Sequence, residues 1–365
     1  MLGRRPGDLQ AFYARAQLQF DQAGFEFARY HFDAALKLAL SAEQTMSECL
    51  RFNPIDAVGW SGETQTRQRI ASYLAERGRI SEAMEKYRAA ADVAVEQRSG
   101  AGGIGSVPAA FWAIARLEAQ RGHREAAEKA LAEAVRVRGT MDRERRSPDI
   151  VREYVRLYSI RSCERDVKWY LEDYAGVIAG AEEDLKAIAR LVQSPDVTAS
   201  ERKLLDSTRA NDLQYAAQAH GMLGQFAEAE AILRDLLPEL KAGGMQAAKD
   251  GTDAWRRAWL AFALVRQDRR AEALKIVEPA VGFYRDRKNK GDDTVSQQLA
   301  FGASLYARAL AEPDDPEGGA ARRASLDEAA QVMASLSDEA KQLHDERVLI
   351  ARISAELARS GGKAD

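Results

Sequence analysis

The stretch from Ile70 to Glu96, IASYLAERGRISEAMEKYRAAADVAVE, restricts the fold more than any other part of the chain. It reads as two amphipathic helices joined by a tight turn. Ile70, Ala71 and Leu74 line one face of the first helix. Gly78 ends it, because glycine enters the left-handed C-terminal conformation without a Cβ penalty. Ser81 is expected to cap the second helix, whose inner face is Ala83, Met84, Tyr87, Ala90 and Ala91. Small residues (Ala71, Ala83, Ala90) let the two backbones approach, and Ile70, Leu74 and Tyr87 fill the space beside them.

The same order of residues returns along the chain. Gly78 is followed by Ala83, Tyr87 and Ala90, and Gly122 by Ala127, Leu131 and Ala134. Gly224 leads to Ala229, Leu233 and Leu236, and Asp268 to Ala273, Val277 and Ala280. Before the turns, Ile114–Ala115, Ala216–Ala217 and Leu260–Ala261 stand where Ile70–Ala71 stands. No segment alternates apolar and polar residues with β-branched enrichment, and Ala, Leu, Glu, Arg and Gln dominate, so the expectation is an all-α chain. Prolines 54, 108, 148, 195, 238, 279 and 313 punctuate it at intervals suited to internal repeats.

On these residues the chain resembles the tetratricopeptide repeat family, with RGRISEAMEKYRAA as the nearest match. The resemblance implies an α-solenoid of about six to seven antiparallel helix pairs wound as a right-handed superhelix. Read as a single array over 1–365, its clearest units are 60–97, 108–138, 201–240 and 253–286. Degenerate units are expected at 8–51, 148–193 and 294–337, with a polar-backed capping helix over 338–359. Two features depart from the family pattern. The repeats are longer than its usual length of about 34 residues, and Pro279 should kink or end the second helix of its unit. Spacing is poorest over 139–200, so that stretch is expected to be the least regular.

Composition agrees with a folded chain and excludes several functions. The 365 residues are 46% hydrophobic and 30% charged. A net charge of −3 and a pI near 6.0 offer no general attraction to nucleic acid or anionic membranes. No apolar run approaches the roughly 20 residues of a membrane span. Polar residues interrupt the N-terminal stretch, so no signal peptide is read. Cys49 and Cys163 lie far apart in helical stretches, which suggests two buried thiols and a reducing compartment, the cytoplasm.

Catalytic and cofactor signatures are weak. GAGGIG at 100–105 satisfies G-x-G-x-x-G, but a helix precedes it and no strand does, so an inter-repeat loop is expected. The histidines His31, His123, His220 and His344 are scattered without metal-ligand spacing, and His220 is expected to pack in the core. Acidic pairs such as Glu182–Glu183 read as solvated faces. Basic clusters at 136–152 and 285–290 are interleaved with acids and lack alternating aromatics for stacking on nucleic acid. No metal, cofactor, nucleic-acid partner or membrane insertion is expected, and the chain is read as non-enzymatic.

The family resemblance implies that first helices line a concave groove for a protein or peptide partner. Opposite the Ile70, Ala71 and Leu74 stripe stand Gln65, Gln68 and Ser72, with Trp112 and Arg116 as equivalents in the next unit. Asn211, Gln214 and Gln218, then Phe262, follow in the later units. Such residues offer amide hydrogen bonds, a guanidinium and an aromatic anchor. The Lys and Asn set with which some relatives clamp a chaperone's C-terminal carboxylate is missing. The leading expectation is a scaffold or adaptor. The alternative is a sensory module of a bacterial signalling, transport or transcription system that binds a small ligand or peptide.

Overall fold

The computed structural model describes residues 6–54, 56–96, 107–144, 150–195, 197–238, 250–313 and 315–361. Among them lie sixteen helices and no strand. The chain divides into two compact units.

Unit one comprises Met1–Arg146 with Asp293–Val295 and Ser337–Ala340. Its helices are α1 (Pro6–Ala28), α2 (Phe32–Phe52), α3 (Ala57–Glu76), α4 (Ile80–Glu96), α5 (Val107–Gln120) and α6 (Arg124–Glu144). Each packs on the next, the nearest-neighbour order of a helical solenoid. Ala23, Ala35, Ala39, Ile70, Tyr73, Leu74 and Ala83 form one buried cluster. The alanines let the helices approach, and the Phe27 and Tyr73 rings stack at 4.3 Å beside them. Asp56 opens α3 by accepting from the amides of Val58 and Gly59.

Ser81 does not cap α4. The helix begins one residue earlier, at Ile80, and the Ser81 amide donates to Oε2 of Glu339 at 2.7 Å. A carboxylate remote in sequence thus satisfies a first-turn amide and meets the positive end of the helix.

Unit two comprises Ser147–Asp292, Ser296–Leu336 and Lys341–Asp365. It contains α7 (Ile150–Tyr170), α8 (Tyr174–Val192), α9 (Ala199–Met222), α10 (Phe226–Leu236), α11 (Gly251–Val265) and α12 (Arg270–Asn289). It continues with α13 (Val295–Ala311), α14 (Pro316–Ala334) and α16 (His344–Gly361), while the short α15 (Asp338–Lys341) belongs, except for Lys341, to unit one. From α7 to α12 successive helices pack together, and α16 lies against α14. At Gly302 on α13 a Cβ would stand 2.7 Å from Met333 Sδ and 3.3 Å from Leu349, so α13, α14 and α16 meet there at close range. Thr198 and Glu201 form a reciprocal capping box at the start of α9.

One turn geometry recurs in both units. Gly78, Gly122 and Gly224 have φ of 70, 79 and 79°, and Tyr30, Glu172 and Asp268 take the same left-handed conformation at 67, 63 and 61°. At each, the next amide returns to the carbonyl five residues earlier, as Arg79 does to Leu74 at 2.9 Å and Asp173 to Lys168 at 2.9 Å. These are Schellman closures. Their shape tolerates a non-glycine residue where neighbouring packing holds it, which is why the degenerate units still turn.

Three expectations need correction. Of the kink or end expected at Pro279, the end does not occur, since α12 runs on to Asn289. The described part of 139–200 is mostly regular helix, comprising the end of α6, α7, α8 and the start of α9, and not an irregular stretch. His220 is only half-buried, its Nδ1 2.6 Å from Gln225 Oε1 across a hairpin turn. His31 with Glu26 and His123 with Glu118 bracket their turns in the same way, at 2.6 and 2.8 Å. The glycine run 100–105 and the loop 145–149 lie outside the described residues.

Candidate functional site

A cavity of ≈ 250 Å³ opens among the helices of unit two. Its aromatic wall begins with Trp169 and Tyr170 at the end of α7 and continues with Tyr215 on α9. Trp255, Trp259 and Phe262, spaced to share one face of α11, extend it. The rings meet edge to face, Trp169–Trp259 at 6.2 Å, Trp255–Trp259 at 6.1 Å and Trp259–Phe262 at 6.0 Å. Such contacts hold the indoles in place and stiffen the wall. Tyr306 of α13 and Val348 and Leu349 of α16 complete the lining.

Polar groups interrupt this wall at a few points. The Trp169 indole N–H donates to Asp345 Oδ1 at 3.1 Å. His344, 2% exposed, places Nδ1 2.7 Å from Asp345 Oδ1 and Nε2 3.2 Å from Glu172 Oε1. Burial opposes its charge, but hydrogen bonds to the two carboxylates outweigh it and raise its pKa above 6.5. Burial, with the Glu172 and Asp345 carboxylates nearby, pushes the Tyr174 phenol up to about 12. Arg352 of α16 also lines the cavity, its Nη2 3.7 Å from Met222 Sδ and its guanidinium 5.9 Å from the Phe262 ring centre. The guanidinium has no carboxylate within ion-pair distance among the described residues.

Of the groove residues expected from sequence, Gln214, Gln218 and Phe262 line this one cavity. Gln214 Oε1 accepts from Arg256 Nε at 2.9 Å. Gln218 is 4% exposed and its Nε2 has no hydrogen-bond partner among the described residues. Asn211 is exposed and is not part of the lining. In unit one, Gln65, Ser72 and Arg116 are exposed, while Gln68 and Trp112 are half-buried. Ser72 bonds the buried Tyr87 hydroxyl, and Arg116 is close enough to act on it electrostatically. Gln65 Nε2 lies 3.3 Å from Ser61 Oγ.

His344, Asp345 and Arg352 were not legible as site residues. Their helix reads as a polar cap, and nothing local distinguishes Arg352 from the arginines around it. The W-x-x-x-W pair at Trp255 and Trp259 was the available signal. Behind the wall, Arg165 and Asp212 form a buried ion pair, 7% and 0% exposed, with the Tyr158 hydroxyl 3.5 Å from the same carboxylate oxygen. Burial raises the Asp212 pKa to about 7 against the pull of Arg165.

Among the described residues no group of three or more His, Cys, Asp or Glu is placed to hold a metal ion. No helix there is long and apolar enough to cross a membrane. Cys49 and Cys163 are buried thiols.

No family model matches the sequence, and no curated protein does. Among solved structures, a tetratricopeptide repeat protein from Parabacteroides merdae is 13% identical with a TM-score of 0.45, over 93% of this chain and 99% of that one. A signal-transduction ATPase with a tetratricopeptide repeat sensor from Pyrococcus horikoshii is 13% identical with a TM-score of 0.44. That match covers 96% of this chain but only 55% of the ATPase, so the chain spans about half its length. The TPR2AB domain of yeast Sti1 in complex with an HSP90 peptide is 13% identical with a TM-score of 0.28, over 93% and 99% of the two chains. All three carry the repeat that the sequence resembles. At these identities and scores they say nothing of a ligand or partner.

Proposed function

We propose that the protein is a non-enzymatic scaffold that binds a protein or peptide partner along the exposed faces of its first helices. The carrying observation is the contrast on α3 and α5. Gln65, Ser72 and Arg116 remain exposed beside the fully buried Ile70, Ala71 and Ala115, so the hairpins present a polar row to solvent. The test is affinity capture from lysate with wild type and a variant carrying Gln68→Ala, Trp112→Ala, Arg116→Ala and Gln214→Ala, after matching helicity and Tm. A protein held by the wild type and lost by the variant supports the groove. Equal capture by both overturns it.

The aromatic cavity of unit two favours a second reading, a regulatory module that takes a small ligand. Concave, mostly apolar sites with a few convergent polar groups are where small molecules bind.

A further inference from the structure

We propose that the unit-two cavity binds a small amphipathic monocarboxylate, with its apolar body among the indoles and its carboxylate on Arg352 and Gln218. This rests on the second reading above and adds the chemistry of the ligand.

Size comes first. An apolar cavity of about 150 Å³ takes up benzene, so ≈ 250 Å³ suits one aromatic ring with a short tail. Trp255, Trp259 and Phe262 offer flat apolar surfaces to such a body, and Leu349 an aliphatic one.

Charge comes second. Asp345 is committed to the Trp169 indole and to the His344 imidazole, which lies between two carboxylates. Arg352, which lines the cavity beside Met222 and Phe262, has no such counter-charge among the described residues. The Arg352 guanidinium therefore lacks a counter-charge, which a carboxylate supplies.

Convergence comes third. Gln218 and Met222 are one helical turn apart on the same face of α9, and Arg352 touches Met222. The guanidinium and the unpartnered Gln218 amide therefore lie toward one end of the cavity. Rotation about the terminal torsion, which is broad for an amide, brings the amide to bear on the same ligand group. A buried amide without a partner is costly, and a carboxylate oxygen removes that cost.

The experiment titrates the full chain with 3-phenylpropanoate, its neutral amide 3-phenylpropanamide and 3-phenylpropan-1-aminium. Binding is read by calorimetry and by tryptophan emission, with wild type, Arg352→Gln and Gln218→Leu. The expected result is that the acid binds at least about tenfold more tightly than the amide, a factor that shrinks as salt is raised. Arg352→Gln should abolish the preference for acid over amide while leaving amide binding within about twofold. Gln218→Leu should weaken the acid several-fold. Equal binding of acid and amide, a preference for the cation, or a preference that survives Arg352→Gln overturns the carboxylate while leaving the cavity as a ligand site. No saturable binding of any of the three overturns both.

Discussion

The imidazole of His344 bridges two carboxylates, Asp345 at 2.7 Å and Glu172 at 3.2 Å, and so ties the start of α16 to the α7–α8 turn. Glu172 reaches it from a left-handed backbone position, φ 63°, at the end of α7. The turn residue of the α7–α8 hairpin thus also makes a tertiary contact.

That contact predicts a pH dependence. The folded-state pKa of His344 is raised, so its stabilisation is fully present below the unfolded value of about 6.5. It is lost as pH rises through the raised folded value. Urea midpoints of wild type and His344→Gln should therefore differ most below about pH 6 and converge as pH increases from there. A gap that is constant with pH would mean that the imidazolium contributes nothing.

The buried pair behind the cavity predicts an asymmetry. Asp212→Ala leaves the Arg165 guanidinium without its carboxylate in a nearly dry site, and should cost about 3–5 kcal/mol in chemical denaturation. Asp212→Leu combined with Arg165→Met removes both charges at similar volume and should cost far less. Equal losses would show that Arg165 is solvated despite its 7% exposure.

Two glycines with nearly the same backbone should respond differently to alanine. Gly122 has open space where a Cβ would go, so Gly122→Ala costs only backbone strain, about 1 kcal/mol. Gly78→Ala adds a clash with the Ser337 side chain, whose hydroxyl donates to the Gly78 carbonyl at 2.7 Å. Its loss should exceed that of Gly122→Ala by about 1–3 kcal/mol. Thermal or urea unfolding of the two variants side by side measures the difference.

The Glu339 cap predicts a smaller effect. Glu339→Ala deprives the Ser81 amide of its acceptor and removes a negative charge from the start of α4, at a cost of about 1 kcal/mol. Glu339→Gln, which keeps an acceptor oxygen, should recover part of it. If neither variant shifts the unfolding midpoint, water replaces the carboxylate without loss.

The helix hairpins were legible because their determinants are local. The stripe Ile70, Ala71, Leu74, the turn at Gly78 and the row Ala83, Tyr87, Ala90 lie within one short segment, and side-chain period with a left-handed turn residue defines the pairing. The same reasoning recovered Asp268 as a turn residue without glycine, because its neighbours keep the spacing. It did not recover Glu172 as a partner for His344.

By itself the sequence determined an all-helical chain and the hairpin as its unit, since both follow from periods of three to four residues and from what a turn allows. Only the tertiary structure decided that Trp169, Trp259 and Arg352 face one cavity, that Glu339 caps α4 and that Pro279 stays inside a helix. Those relationships join residues far apart in sequence, or depend on what neighbouring packing holds in place. They depend on how helices stack and in which register, which no local period encodes.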